Sequence, residues 1–524
     1  MVSDSSNLKQ KLSEINSVIS KMLDKNYEYF DDLLNISSQE YLGWVDPQKL
    51  IIHYLEFSNV YEKYKLIPFR KLIVIGMGGS SLGAKVLVDN LSRDKKIEVC
   101  FVENYHPGYL QKLHDFTLDS DVMFLVCSKS GTTLETLMIF QYFYHHVEIN
   151  NMFDSPGDAF IAITDKGSQL EEIAISKKFS DVVYGMKEIG GRYSVLSSFG
   201  MFPALMSGVS SDDLLSSLRN QIEKFSELEY LNQCEEIAQF ILKGLLTGKN
   251  KMLISIDPEF VGFSEWIQQL IAESLGKNNK GIIPIIINNN DQHMNRNDLL
   301  FSLKKGSEFS FETITSSTQQ ILNVSISDSS DLIPQLFVWE LVVSSLGAIM
   351  EVNPFDQPDV QSSKNETNYL IHSKQQIDIL EQTISFDGLI NCFQDLDKNN
   401  YVGFLYFADP STQIVNLMNL FGEILSFKFQ LPVIQALGPN YLHSLGQLFK
   451  GGPDIGTFIQ FVSNDLEFDI TVPSQDFSFY DLMNSQIQGD FKILDSIGRK
   501  PIVIHLGDEP EKKLQEFINK AKLI

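Results

Sequence analysis

Two stretches of glycine and hydroxyl residues could hold an anion. The first is Gly76-Met77-Gly78-Gly79-Ser80-Ser81-Leu82-Gly83. Glycines let the backbone approach a ligand closely, and the start of a following helix favours negative charge. The second is Ser128-Lys129-Ser130-Gly131-Thr132-Thr133-Leu134-Glu135-Thr136. So many hydroxyls and backbone donors around one glycine suit the oxygens of a phosphate monoester. Each stretch also has a plainer reading. The first serves equally as a tight strand-to-helix turn with no ligand, and the second as a helix cap, since Thr132 and Glu135 have capping-box spacing. A dinucleotide fingerprint is a further alternative for the first, with Ser81 where the third glycine belongs and Glu103 near the position of a ribose-binding acid. That alternative leaves the second stretch unexplained. Metal and nucleophile chemistry find little support. His145 and His146 are adjacent, so on a helix they diverge by about 100°. The sequence has no HExxH motif and no cysteine cluster, and no metal or other cofactor is expected.

Elements must present these stretches together. Continuous apolar runs at 71–75 and 122–127 lead into them, and similar runs lie at 97–102 and 160–164, with helix-like segments between. Strands buried on both faces read this way, and their alternation with helices predicts a parallel, doubly wound sheet. Both loops then leave the carboxyl ends of strands, where open α/β sheets bind ligands. A polar stretch near 207–213 and a helix-rich connector follow. The pattern restarts with runs at 252–256, 281–287, 402–407, 432–436, 457–462 and 501–505, read as a second α/β domain. Asn and Asp crowd 286–298, which predicts an exposed loop. Residues 1–45 read as helical and amphipathic, with Leu8, Leu12, Ile15, Ile19 and Leu23 near helical spacing. The predicted organisation is a helical segment over 1–45, a first domain over 46–206, a helical connector over 207–245, and a second domain with a C-terminal extension over 246–524.

Composition sets limits on partners. The 524 residues are 43% hydrophobic and 21% charged, enough to build a sizeable core. The net charge of −25 repels nucleic acid and anionic membrane surfaces. It also means that any anion site must be built locally, from backbone N–H groups, helix starts and a few Lys or Arg side chains. Cys100, Cys127, Cys234 and Cys392 are scattered; Cys100 and Cys127 fall inside apolar runs and are expected in the core, as in a reducing compartment. Residues 1–11 are polar and show no secretory h-region. The apolar stretch 332–352 carries Pro334, Glu340 and Gly347 and is expected to be a buried helix and no membrane span. These readings favour the cytoplasm.

Five segments together bring a resemblance into view. The two loops resemble the phosphosugar-binding loops of sugar isomerase (SIS-type) domains. Gly190-Gly191-Arg192-Tyr193-Ser194, Gln269-Leu270-Ile271-Ala272-Glu273-Ser274-Leu275-Gly276-Lys277, and Asn353-Pro354-Phe355-Asp356-Gln357 running to Lys364 narrow this to the phosphoglucose isomerase family. With Leu442-His443-Ser444-Leu445-Gly446-Gln447, the chain is most similar to the isomerase half of bifunctional transaldolase/glucose-6-phosphate isomerases. The resemblance runs from about residue 66 to the end and leaves no room for a transaldolase domain. It implies two doubly wound SIS-type domains with mainly parallel sheets, glucose 6-phosphate and fructose 6-phosphate as partners, and a homodimer.

That chemistry assigns roles. Moving a carbonyl between C1 and C2 needs a base that takes a proton from one carbon and returns it to the other. Glu273 is the candidate, at the end of a helix-like segment, with Gly276 expected at the C′ position and Gln269 one turn earlier on the same face. The negative helix end is expected to shift this carboxylate toward a useful range. Arg192, beside two glycines, is the candidate for the enediolate oxyanion. Ring opening needs an acid and a base, in the resembling family a His and a Lys. Lys364 carries over directly and His443 is the preferred histidine. The commoner family order puts that histidine between the Glu and Lys segments; here His443 follows both, and whether it serves its own or a neighbouring subunit is open. His293 lies in the usual interval without matching neighbours and is the second choice. Gly79, Ser80, Ser128, Lys129 (by its backbone), Ser130 and Thr133 are candidates for the phosphate, and Gln269 and Gln357 for the rest of the substrate. The alternative is a phosphosugar sensor without turnover, which would need no proton shuttle. Lys450-Gly451-Gly452-Pro453 reads as a turn without an assigned role.

Overall fold

The computed structural model describes residues 5–92, 96–118, 121–226, 228–287, 298–315, 320–327, 331–373, 382–463 and 469–524. The Asn- and Asp-rich stretch 288–297, with His293, lies outside these residues. The chain divides into two compact units. The first comprises Met1–Glu103, Asp119–Phe140 and Val147–Asp356; the second comprises Asn104–Leu118, Gln141–His146 and Gln357–Ile524.

The first unit contains two sheets. One has β1 (Lys71–Gly76), β2 (Glu98–Val102), β3 (Val122–Cys127), β4 (Phe160–Thr164) and β5 (Asp181–Tyr184), all parallel, in the order β2-β1-β3-β4-β5. The central strands β1, β3 and β4 are buried along almost their whole length, which explains their unbroken apolar sequence. Cys127 is in this core, whereas Cys100 sits half-buried on the edge strand β2, contrary to expectation. The register pairs Gly76 with Cys127. The glycine turn and the hydroxyl turn therefore leave neighbouring strands at one level of one sheet edge.

The second sheet has β6 (Lys251–Ile256), β7 (Ile283–Ile286), β8 (Leu299–Lys305), β9 (Ser310–Thr315) and β10 (Gln320–Ile326), in the order β7-β6-β8-β10-β9. It is parallel except for β9, which runs antiparallel to β10 at the edge. Helix Leu332–Met350 is the spine of this unit. Its mean hydropathy of 1.7 over an 18-residue window would suit a membrane span, yet that window is wholly buried in protein. Helices Ser5–Leu23 and Leu228–Leu246 pack against it, and the N-terminal residues Ile15, Val18, Ile19 and Met22 join the same core. The one acid of the spine, Glu340, is fully buried, and burial pushes its carboxyl well above the usual range.

The second unit contains one parallel sheet of β11 (Tyr401–Phe407), β12 (Val433–Leu437), β13 (Gly456–Ser463) and β14 (Ile502–Gly507), in the order β12-β11-β13-β14. Its own core joins these strands to helices Phe386–Gln394, Thr412–Phe429 and Pro510–Leu523. The α/β class with mainly parallel sheets is as expected. The six apolar runs read as one second domain contribute to two sheets, one in each unit. A run of apolar residues declares a strand but carries no information about which strand it pairs with.

Candidate active site

The site in the first unit is built on close approach of backbones. Gly79 lies in the short turn after β1, against the turn Gly191–Tyr193. A Cβ at position 79 would come within 2.5 Å of the Gly191 carbonyl carbon and 2.7 Å of the Arg192 nitrogen. Glycine here brings the first loop onto the loop that carries the arginine. Gly78 takes a left-handed φ of 53°, the second requirement that only glycine meets at no cost. Ser81 is buried and its hydroxyl donates to Glu103. The acid that a dinucleotide reading would give to a ribose is therefore occupied in fixing the glycine turn.

The second loop is likewise fixed from behind. Ser128 is buried and its hydroxyl donates to Thr133 at 3.1 Å, while Thr164 donates to the Ser128 carbonyl at 2.7 Å. The Lys129 ammonium pairs with Asp165 at 2.6 Å and donates to the Met186 carbonyl at 2.8 Å. Its side chain thus turns toward the neighbouring loop, and burial above all lowers its pKa. Ser130 is exposed, 2.9 Å from the Thr132 hydroxyl. The first helical bond after this loop runs from the Leu137 N–H to the Thr133 carbonyl at 3.0 Å, so Thr133 and not Thr132 stands at the cap.

Arg192 and Glu273 form the centre. The Arg192 Nε lies 3.0 Å from Glu273 Oε2, with side-chain exposures of 5% and 9%. One residue along each chain, the Tyr193 and Ser274 hydroxyls lie 3.1 Å apart, a second rung beside the ion pair. Tyr193 is stacked on Trp44 at 5.3 Å, which sets its ring. Gln269, one turn before Glu273, donates to the same carboxylate at 3.4 Å. Helix Phe263–Leu275 ends at Gly276 with φ −79°, so the expected left-handed C′ glycine is absent, and Asn278 and Asn279 take the positive φ values instead. The helix end that was to bear on Glu273 is opposed by an arginine that sequence spacing gave no reason to place there.

Residues the sequence did not single out complete this centre. The Arg192 guanidinium donates from Nη1 to the Pro354 carbonyl at 2.9 Å and to the Asp356 carbonyl at 3.1 Å, and from Nη2 to the latter at 3.2 Å. Lys277, 3% exposed, pairs with the Asp356 carboxylate at 2.9 Å and donates to the Asn353 carbonyl. The signal for Lys277 was present: a lysine just past a helix C-terminus, four residues after the candidate base.

The remaining candidates belong to the second unit. Gln357 is exposed just before helix Pro358–Ser373, and Lys364 is half-buried on that helix. His443 is half-buried at the end of the turn Asn440–His443. These two elements are locked together. The Asp359 N–H donates to Gln447 Oε1 at 3.0 Å. Asp490, fully buried, accepts from the Tyr441 hydroxyl and from Ser363 at 3.3 Å, and its carboxylate forms an ion pair with the Lys450 ammonium at 2.7 Å. Tyr441 is two residues from His443, and Ser363 precedes Lys364. Lys450 is not in a turn, as the Gly-Gly-Pro that follows suggested, but in helix Gly446–Gly451 and buried. Among the described residues no group of three or more His, Cys, Asp or Glu side chains is arranged to hold a metal ion.

Comparison with known proteins bears on this arrangement. A family model described as phosphoglucose isomerase matches residues 60–285, a span that contains both loops, Arg192 and Glu273. Glucose-6-phosphate isomerases of Staphylococcus aureus strains Newman and USA300 are each 29% identical, over 63% of this chain and 86% of theirs. A hypothetical protein of Thermus thermophilus shares the fold with a TM-score of 0.56 at 20% identity, over 69% of this chain and 98% of that one. A glucose-6-phosphate isomerase of Chlamydia trachomatis does so with 0.51 at 17%, over 66% and 76%.

Proposed function

Because the chain belongs to the phosphoglucose isomerase family, we propose that it interconverts glucose 6-phosphate and fructose 6-phosphate through an enediolate. The observation that carries this reading is the buried Arg192–Glu273 pair at 3.0 Å, in the unit that also presents both hydroxyl-rich loops from one sheet edge. Glu273 takes the proton from C2 of the open-chain aldose and returns it to C1. As it does so its own charge disappears and the negative charge moves to the enediolate, so Arg192 keeps an anionic partner throughout. General acid–base transfer of this kind contributes about 10²–10⁴-fold.

Ser80, Ser128, Ser130 and Thr133 hold the phosphate, with backbone N–H groups of Gly79 and Lys129. Local donors of this kind are what a chain of net charge −25 requires. Gln269 orients the Glu273 carboxylate and Gln357 binds the sugar. Lys364 and His443 open the ring, as the acid and base for the ring oxygen and the C1 hydroxyl. The position of His443 after Lys364 favours the transaldolase-linked subgroup within the family, and the homodimer stands as part of the same reading.

The test is a coupled assay of fructose 6-phosphate to glucose 6-phosphate with a chelator present. Turnover supports the isomerase. Binding of fructose 6-phosphate without turnover would overturn it and leave a phosphosugar-binding protein.

A further inference from the structure

Lys277 has no part in the proposed reaction, yet it is among the least exposed of the described lysines. A buried ammonium needs opposite charge and acceptors around it. Lys277 finds them in one short segment, 353–356, through the Asp356 carboxylate at 2.9 Å and the Asn353 carbonyl. The same segment supplies the Pro354 and Asp356 carbonyls that hold the Arg192 guanidinium. Two cations thus grip three of these four consecutive residues, Asn353, Pro354 and Asp356, and one of them carries the candidate base on its Nε. Moving the segment moves the arginine, and moving the arginine moves the carboxylate.

Charge leads to the same residue. Arg192 and Lys277 face Glu273 and Asp356, two positive against two negative. When Glu273 accepts the proton and the enediolate forms, the count is unchanged, because the negative charge has passed from the carboxylate to the substrate. With Lys277 neutral, the enediolate would form in a site one charge too negative.

We propose that Lys277 is a positioning residue for the proton transfer, which fixes Arg192 against Glu273 through segment 353–356 and supplies the second positive charge that the enediolate needs. The proposal rests on the isomerase reading above. Its titration follows from its surroundings. The charged groups that face Lys277 are Arg192, Asp356 and Glu273; burial first, then Arg192, lower its pKa to about 7, against the opposite pull of the two carboxylates. A lysine with a depressed pKa loses its charge as pH rises through that value, so activity should decline on the alkaline side from about pH 7.

Steady-state kinetics of the full chain across pH 6–9, with fructose 6-phosphate, test this on wild type, Lys277→Met and Lys277→Arg. Lys277→Met should lower kcat by about 100-fold, the scale of a misplaced reacting group, with KM changed by less than about threefold because the phosphate loops are untouched. Lys277→Arg should recover much of kcat and remove the decline near pH 7, since a guanidinium keeps its charge. The decline persisting unchanged in Lys277→Arg would overturn the proposal, as would Lys277→Met with wild-type kcat or with KM raised as much as kcat is lowered. Should Lys277→Met fail to fold, the pH profile of Lys277→Arg decides alone. Absence of turnover in wild type would overturn the isomerase reading, and this proposal with it; wild-type turnover with indifferent variants would overturn this proposal only.

Discussion

Each unit buries a cation against a carboxylate, and the two pairs are surrounded differently. In the second unit Lys450 and Asp490 lie 2.7 Å apart at 1% and 0% side-chain exposure, and Asp490 is further saturated by Tyr441 and Ser363. The partners come from elements that have only to stay where they are. In the first unit Arg192 and Glu273 lie 3.0 Å apart at 5% and 9%, next to a second cation and against the glycine turn that carries the half-buried Ser80. The first arrangement leaves the carboxylate nothing further to do. The second leaves a carboxylate whose partner can keep its charge satisfied after the proton has moved. Surroundings, and not the pair itself, are what set the proposed catalytic pair apart from the buried one in the second unit.

Neutralising each acid should separate the two pairs most clearly. Glu273→Gln should lower kcat by about 10²–10⁴-fold while fructose 6-phosphate still binds, measured by coupled assay and calorimetry; retained turnover would remove Glu273 from the mechanism. Asp490→Asn should do the reverse. It leaves the Lys450 ammonium buried without its counter-charge, and unfolding free energy should fall by about 3–5 kcal/mol, read by denaturant titration. A second substitution, Lys450→Met, should recover most of that loss if the pair is structural.

Gly79→Ala sharpens the picture of the first unit. The added methyl must displace the Gly191–Arg192 backbone, and kcat should fall by about 100-fold with far smaller change in thermal stability than Asp490→Asn shows. The smallest effect belongs to Ser130→Ala. Loss of one exposed hydroxyl donor to phosphate should raise KM by roughly tenfold at most, near the ~1 kcal/mol of an ordinary hydrogen bond, with kcat unaltered.

The sequence made the first sheet readable because its central strands are buried on both faces and therefore apolar without interruption. Strands β5, β9 and β10 escaped notice for the opposite reason. β5 and β9 are edge strands and β10 alternates, with polar residues such as Glu312 in β9 and Asn323 in β10 breaking the pattern. Strand β8 escaped because its apolar run is interrupted at Ser302 and ends in Lys304 and Lys305. Gln269 beside Glu273 followed from helical spacing alone. Arg192 beside Glu273 did not, because that contact spans 81 residues and depends on two glycine turns coming together; only likeness to a family placed both residues on one list. Asp490 gave a weak signal, one acid on the buried face of helix Phe479–Ser496. Lys450 was misread because Gly451, Gly452 and Pro453 suggest a turn, and the helix simply ends there.

The spine helix Leu332–Met350 also bears on how the chain is made. It contributes the centre of the first unit's core but is specified two-thirds of the way along the chain. At about 5–20 residues per second, a ribosome needs roughly 20–70 s to reach it. Until then the helices Ser5–Leu23 and Leu228–Leu246 have no spine to close upon, and their apolar faces stay wet. Newly made chains should therefore be guests for chaperones that hold apolar surface, and a stall before residue 350 should yield aggregation-prone fragments even though both hydroxyl-rich loops have already been synthesised.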